Sequence, residues 1–167
     1  PARMAIVAFS AALAVVVAVA IALAAGGSGS EFAVYQGHDR LGGSTASVDD
    51  VLDDGIPVVL NFWGGDCPPC RFEMPALQRV YETHQSDINF LGLDIGPFMG
   101  LGTRQSARDL LSELQITYPA GGPPNRDIQN RYSVNALPTT VFFGPDGRVF
   151  RRWDGAISEG QMNQIVE

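Results

Sequence analysis

The chain has 167 residues, room for one domain of ordinary size. Its eleven basic residues are all arginine and stand against eighteen acidic ones, a formal net charge of -7 that repels polyanions and argues against nucleic acid as a partner. The two cysteines are too few and too close together for the disulfide frameworks that hold small secreted domains.

From Met4 to Ala25 the chain reads MAIVAFSAALAVVVAVAIALAA, uncharged and with Ser10 as its only polar side chain. As a helix rising about 1.5 Å per residue it spans roughly 33 Å, against a hydrocarbon core of about 30 Å. Residues 4–25 are therefore expected to be an N-terminal transmembrane anchor or a signal segment cut near Ala22-Leu23-Ala24, the length favouring the anchor. A helix apolar on every face has no place in the core of so small a domain. Arg3 is the only positive flank, and it favours an inside N-terminus with the main domain outside the cytoplasm. Gly26-Gly27-Ser28-Gly29-Ser30 opens a flexible linker over 26–31, and the folded domain is expected over 32–167.

Beyond the linker, hydrophobic blocks alternate between strand-like and helix-like lengths, the pattern of an α/β layer architecture. Phe32 to Gln36 predicts a short edge strand. Ser47 followed by Val48, Val51 and Leu52 predicts a capped helical turn with Asp49, Asp50, Asp53 and Asp54 on its solvated face. A calcium loop is the sharper reading of those aspartates, but the alternating ligand spacing and closing glutamate are missing. Pro57 to Trp63 is almost continuously apolar, as in a central strand covered on both faces. Met74, Leu77, Val80 and Tyr81 predict a helix from about Pro69 to His84, and Ile88 to Asp94 predicts the next strand. Residues 103–115 form a helix by the spacing of Ala107, Leu110, Leu111 and Leu114. Ile116 to Tyr118 is expected to add a short strand, Pro119 to Pro124 a turn-rich loop, and Asn125 to Tyr132 a short helix. Thr139 to Phe143 and Arg148 to Trp153 flank an Asp146-Gly147 turn and predict a hairpin. Ser158 starts a last helix of barely two turns, which together with Pro1 in place of methionine points to a fragment of a longer chain.

Cys67 and Cys70, two residues apart, are either half of a zinc site or a redox dithiol. Zinc needs two further ligands from a chain whose histidines, His38 and His84, lie far apart in sequence. The redox reading has a physical basis. A strand, the Gly64-Gly65 turn, Cys67 and then two prolines suited to a first helical turn place the Cys67 sulfur at a helix N-terminus, where free N–H groups and the helix dipole favour the thiolate. Cys70 lies a turn further in, shielded but able to close the ring. Cys67 is then the attacking sulfur and Cys70 the resolving one.

Asn61-Phe62-Trp63 followed by Cys67-Pro68-Pro69-Cys70-Arg71-Phe72-Glu73-Met74-Pro75 resembles the active-site segment of the thioredoxin-like family, in its TlpA/ResA branch. Pro75 matches the proline that kinks the active-site helix of that family, and Leu137-Pro138-Thr139-Thr140 resembles its cis-proline loop. Ile95 to Pro124 resembles the extra strand and helix of the branch. The likeness covers residues 32–167 and implies an α/β fold with a thioredoxin-like central mixed sheet flanked by helices, carrying the strand-helix insertion behind the N-terminal transmembrane helix. It further implies that Pro138 is cis, faces Cys67 and, with Trp63, Pro68 and Leu137, binds an extended polypeptide. Trp63 is read as packing beside the site rather than as a chemical participant.

Glu73 matches the acidic residue that the family places near the dithiol. Its i, i+3 spacing from Cys70 lets it accept or relay a proton during resolution, where the plainer alternative is a solvated helix glutamate. Asn61 stands where thioredoxin has a buried aspartate. One departure is Asp66, at a position usually tryptophan in this family; a carboxylate there opposes the Cys67 thiolate, although a helix N-terminus tolerates an acidic neighbour.

The implied activity is that of an extracytoplasmic thiol-disulfide oxidoreductase without cofactor or metal. It would reduce disulfides in exported proteins, apocytochrome c being the substrate class of the branch, and draw electrons from a membrane donor. The same residues serve a general disulfide-forming oxidant, since poise alone sets direction. A copper metallochaperone is disfavoured because no histidine follows the sheet at the expected place. A peroxidase is disfavoured because no Thr or Ser precedes Cys67 in the required way.

Overall fold

A computed structural model describes residues 29–40 and 43–167. The predicted membrane segment at 4–25 and the first linker residues lie outside the described residues. Among the described residues, no helix is long and apolar enough to cross a membrane.

The fold is organised around β3 (Val58–Trp63), whose six residues are all buried. It pairs in parallel with β4 (Asn89–Asp94) and antiparallel with β6 (Thr139–Phe143). Outward from β4 come β5 (Ala120–Gly122), β1 (Glu31–Val34) and β2 (Thr45–Ser47); outward from β6 comes β7 (Val149–Asp154). The order among the described residues is β2-β1-β5-β4-β3-β6-β7, a mixed sheet.

Side chains alternate across β3 and so divide the core in two. Val59 and Trp63 pack with Met74, Leu77 and Val80 of α2 (Pro68–His84), Leu110 of α4 (Arg104–Glu113) and Met162 of α6 (Glu159–Val166). Leu60 and Phe62 face the other way, against Val51 and Leu52 of α1 (Val48–Asp53) and Ile128 of α5 (Asp127–Arg131). Each such side chain, fully buried, contributes about 1.5–3 kcal/mol. A short α3 (Gly96–Met99) links β4 to α4. Helix starts follow local chemistry: Thr103 with Ser106, and Ser158 with Gln161, form reciprocal caps at α4 and α6.

Three expectations are corrected. The first strand, expected at the edge over Phe32 to Gln36, spans Glu31–Val34 and lies inside the sheet, because Thr45–Ser47 adds an outer strand too short to show a pattern. The strand expected at Ile116 to Tyr118 is absent; Gln115 turns the chain at φ 53, and the strand forms instead at Ala120–Gly122, inside the predicted loop. Glycine is required there: a Cβ on Gly121 would stand 2.3 Å from the Ala33 carbonyl oxygen. Ser47 does precede α1, but its hydroxyl makes no cap hydrogen bond and instead meets the Ser30 hydroxyl at 2.9 Å.

Candidate active site

β3 runs into the turn Gly64–Asp66 and then α2, so the two cysteines sit just past the C-terminal end of the central strand. Cys67 is the N-cap residue of α2, with Pro68 in the first turn, and its sulfur accepts the Cys70 amide at 3.3 Å. The two sulfurs are joined at 2.05 Å. The predicted difference in shielding is small in this oxidised state: Cys67 is 2% exposed and Cys70 fully buried. Around them Asp66, Pro68 and Pro69 are exposed. Phe72, at 80% exposure, adds an apolar rim on the Pro68 face of the helix, which the sequence reading passed over.

The turn that presents Cys67 is held from behind. Asp66 donates its amide to the Leu101 carbonyl at 3.0 Å, and Cys67 donates to Gly64 at 3.2 Å. The backbones touch so closely that a Cβ on Gly64 would lie 2.7 Å from the Leu101 oxygen, and one on Gly65 would lie 2.4 Å from the Ala107 nitrogen. Only glycine fits at either place.

Glu73 is no solvated helix residue; it is 1% exposed. The Asn61 amide donates to its Oε1 at 2.7 Å and the Ile157 backbone N–H to its Oε2 at 3.0 Å. Burial pushes its carboxyl up to about 7, against the smaller opposing effect of those two hydrogen bonds. Asn61 also donates to the Thr140 hydroxyl at 3.0 Å, while its Oδ1 has no protein partner. The Ile157 contact carried no signal in the sequence, because a main-chain donor can belong to any residue.

The Leu137-Pro138 peptide is cis. Pro138 immediately precedes Thr139, which pairs with Phe62 near the end of β3 from which the Cys67 turn departs. Pro138 is buried, and the half-buried Leu137 packs on the cluster that contains both cysteines. Trp63 is corrected: it is fully buried beneath α2, which removes it from any surface that a substrate could touch. An apolar cavity of about 580 Å³ opens at the opposite end of β3, beside Pro57, Ile88 and Phe150, and has no part in this site.

Asp94, also passed over, ends β4 fully buried. It accepts from the Tyr35 hydroxyl at 2.6 Å, the Gly96 amide at 3.0 Å and Arg104 at 3.0 Å. An aspartate closing the apolar run Phe90 to Leu93 was the available signal.

A family model described as the AhpC/TSA family matches residues 29–152. A thiol-disulfide oxidoreductase ResA of Oceanobacillus iheyensis is 29% identical over 140 residues, covering 81% of this chain and 70% of that protein. Among solved structures, StoA of Bacillus subtilis superposes with a TM-score of 0.65 at 20% identity, covering 81% of this chain and 97% of that one. A secreted Mycobacterium tuberculosis disulfide oxidoreductase, described as homologous to E. coli DsbE, gives 0.62 at 24% identity, covering 74% and 88%. The mixed sheet with helices on both faces is thus a thioredoxin-like fold.

Proposed function

This chain belongs to the AhpC/TSA family and is a thiol-disulfide oxidoreductase, and we propose that it works through Cys67 and Cys70 on disulfides of exported proteins outside the cytoplasm. The observation that carries the assignment is the placement of the two sulfurs: one at the N-cap of α2, the other inside the first turn, bonded to each other, with the buried carboxyl of Glu73 one turn further along the same helix.

In the reduced protein the Cys67 thiolate attacks a substrate disulfide, forming a mixed disulfide and releasing one substrate thiol. Cys70 then attacks the Cys67 sulfur, the second substrate thiol leaves, and the Cys67–Cys70 bond closes as described above. Two electrons pass from the dithiol to the substrate. Cys70 must lose its proton for the second attack, and Glu73, one turn along the same helix with a carboxyl titrating at about 7, is suited to take it at neutral pH. Pro68, Leu137 and the cis Pro138 form the seat for an extended substrate, and the exposed Phe72 supplies an apolar contact beside it.

The direction is reduction, with apocytochrome c as the substrate class and a membrane donor restoring the dithiol. This rests on the resemblance to the TlpA/ResA branch and on the ResA relative. The apolar segment 4–25 and the secreted M. tuberculosis neighbour support the location.

Cys70→Ala should leave covalent adducts on Cys67 that mass spectrometry can identify as exported cysteine proteins. A free Cys67 thiol that traps nothing refutes the mechanism. Equilibration of the parent with glutathione tests direction, and a potential near the strongly oxidising value of about -120 mV overturns the reductant reading.

A further inference from the structure

Behind the Cys67 turn lies a half-buried ion pair with no role in the steps above. Asp94, fully buried, and Arg104, whose side chain is 30% exposed, meet at 3.0 Å. The Tyr35 hydroxyl and the Gly96 amide complete the donors around the carboxylate, and Arg104 also donates to the carbonyls of Asp94 and Pro123. The guanidinium runs across β5, where a Cβ on Gly122 would lie 2.3 Å from its Nη1. The pair therefore ties the end of β4 to the first residue of α4, and the two ends of the segment Ile95–Thr103 with it.

That segment is the one on which the redox turn rests. Gly96, held by Asp94, lies so close to Gly64 that a Cβ on Gly64 would stand 2.9 Å from the Gly96 Cα. Leu101, whose amide is held by the Gly96 carbonyl at 2.9 Å, accepts the Asp66 amide. An unbroken run of contacts thus leads from the Asp94 carboxylate to the residue before Cys67. We infer that Asp94 and Arg104 are positioning residues, which hold the Gly64–Asp66 turn in place and so help to set the balance between the Cys67–Cys70 disulfide and the dithiol. The inference rests on the reading of Cys67 and Cys70 as the redox couple.

The sign follows from the loosened turn, with a second effect that depends on which partner is removed. A turn held in place keeps the two sulfurs where the ring can close, and loosening it weakens the disulfide, as loss of preorganisation weakens any closure. In Asp94→Asn the loss of a negative charge also favours the thiolate of the reduced state, whereas in Arg104→Gln the loss of a positive charge disfavours it, so that only the loosened turn raises the constant there.

The experiment is equilibration of full-length protein with glutathione, in which disulfide plus two glutathiones exchanges with dithiol plus glutathione disulfide. Asp94→Asn should raise the constant for dithiol formation by about three- to tenfold, tenfold being about 30 mV for two electrons, and Arg104→Gln should raise it by a smaller factor. Val51→Ala, which weakens the core on the opposite sheet face, should lower the denaturation midpoint without moving the constant. Should Asp94→Asn fail to fold, Tyr35→Phe removes the phenol's hydrogen bond to Asp94 and the long one it accepts from Arg104 while keeping the ion pair, and about a twofold shift of the same sign is expected. Constants equal to the parent's, or a shift toward the disulfide, overturn the inference while leaving the redox couple intact. A parent that does not exchange with glutathione at all overturns the couple itself, and the inference with it.

Discussion

The buried Glu73 should give the oxidised protein a stability that falls as pH rises. Its carboxyl goes from 4.5 to about 7 on folding, a change of about 2.5 units, and at about 1.36 kcal/mol per unit this amounts to about 3 kcal/mol. The folded state holds the proton more tightly than the unfolded chain. The contribution is therefore fully present below pH 4.5 and is lost as pH rises through about 7, after which it is flat. Glu113 and Asp154 are held below their usual carboxylate range by Arg71 and Arg152 respectively, so their own effects have the opposite sign and fall below this window. Urea denaturation of the disulfide-bonded protein between pH 4.5 and 8 should show the loss, most of it between pH 5 and 7. Glu73→Gln should remove the slope. The glutamine can be accommodated because an Asn61 amide turned about its axis accepts from both the new amide and the Thr140 hydroxyl, through an oxygen that otherwise has no partner. A parent whose stability is constant or rises across the window, or a Gln variant that keeps the slope, would refute the reasoning.

Gly65→Ala places a methyl 2.4 Å from the Ala107 nitrogen and 2.5 Å from the Ser106 hydroxyl, so the Cys67 turn must move away from α4. The variant should lose about 1–3 kcal/mol in denaturant titration and exchange with glutathione more slowly; parent-like values for both would show the turn to be free of its backing. Leu77→Ala, on the buried face of α2 and 1% exposed, should cost about 2–5 kcal/mol, and a smaller loss would mean that this side of the core collapses around the gap.

Elements whose side chains do the packing were legible in the sequence. Val58 to Trp63 had to be a covered strand, and the two prolines after Cys67 had to open a helix. Glu73 was legible as to its helix face but not its depth, since burial depends on Ile157 arriving from the last connection, 84 positions away in sequence. β5 was hidden for the opposite reason: Ala120, Gly121 and Gly122 pair through main chain alone and owe their place to what their missing side chains would have struck. Asp94 left a local signal as an aspartate closing an apolar run, but its partner was hidden, because the phenol donor Tyr35 lies 59 positions away and no local pattern links them.

If Glu73 takes the Cys70 proton as proposed, its hydrogen bond from the Ile157 N–H makes the segment before α6 a party to that transfer. Protonation of that carboxyl weakens the hold on residue 157, and by reciprocity any contact that draws the segment away must change the carboxyl's acidity. A polypeptide gripping the protein beside Gly155 would thereby adjust the base that frees it, through one amide and without touching either sulfur.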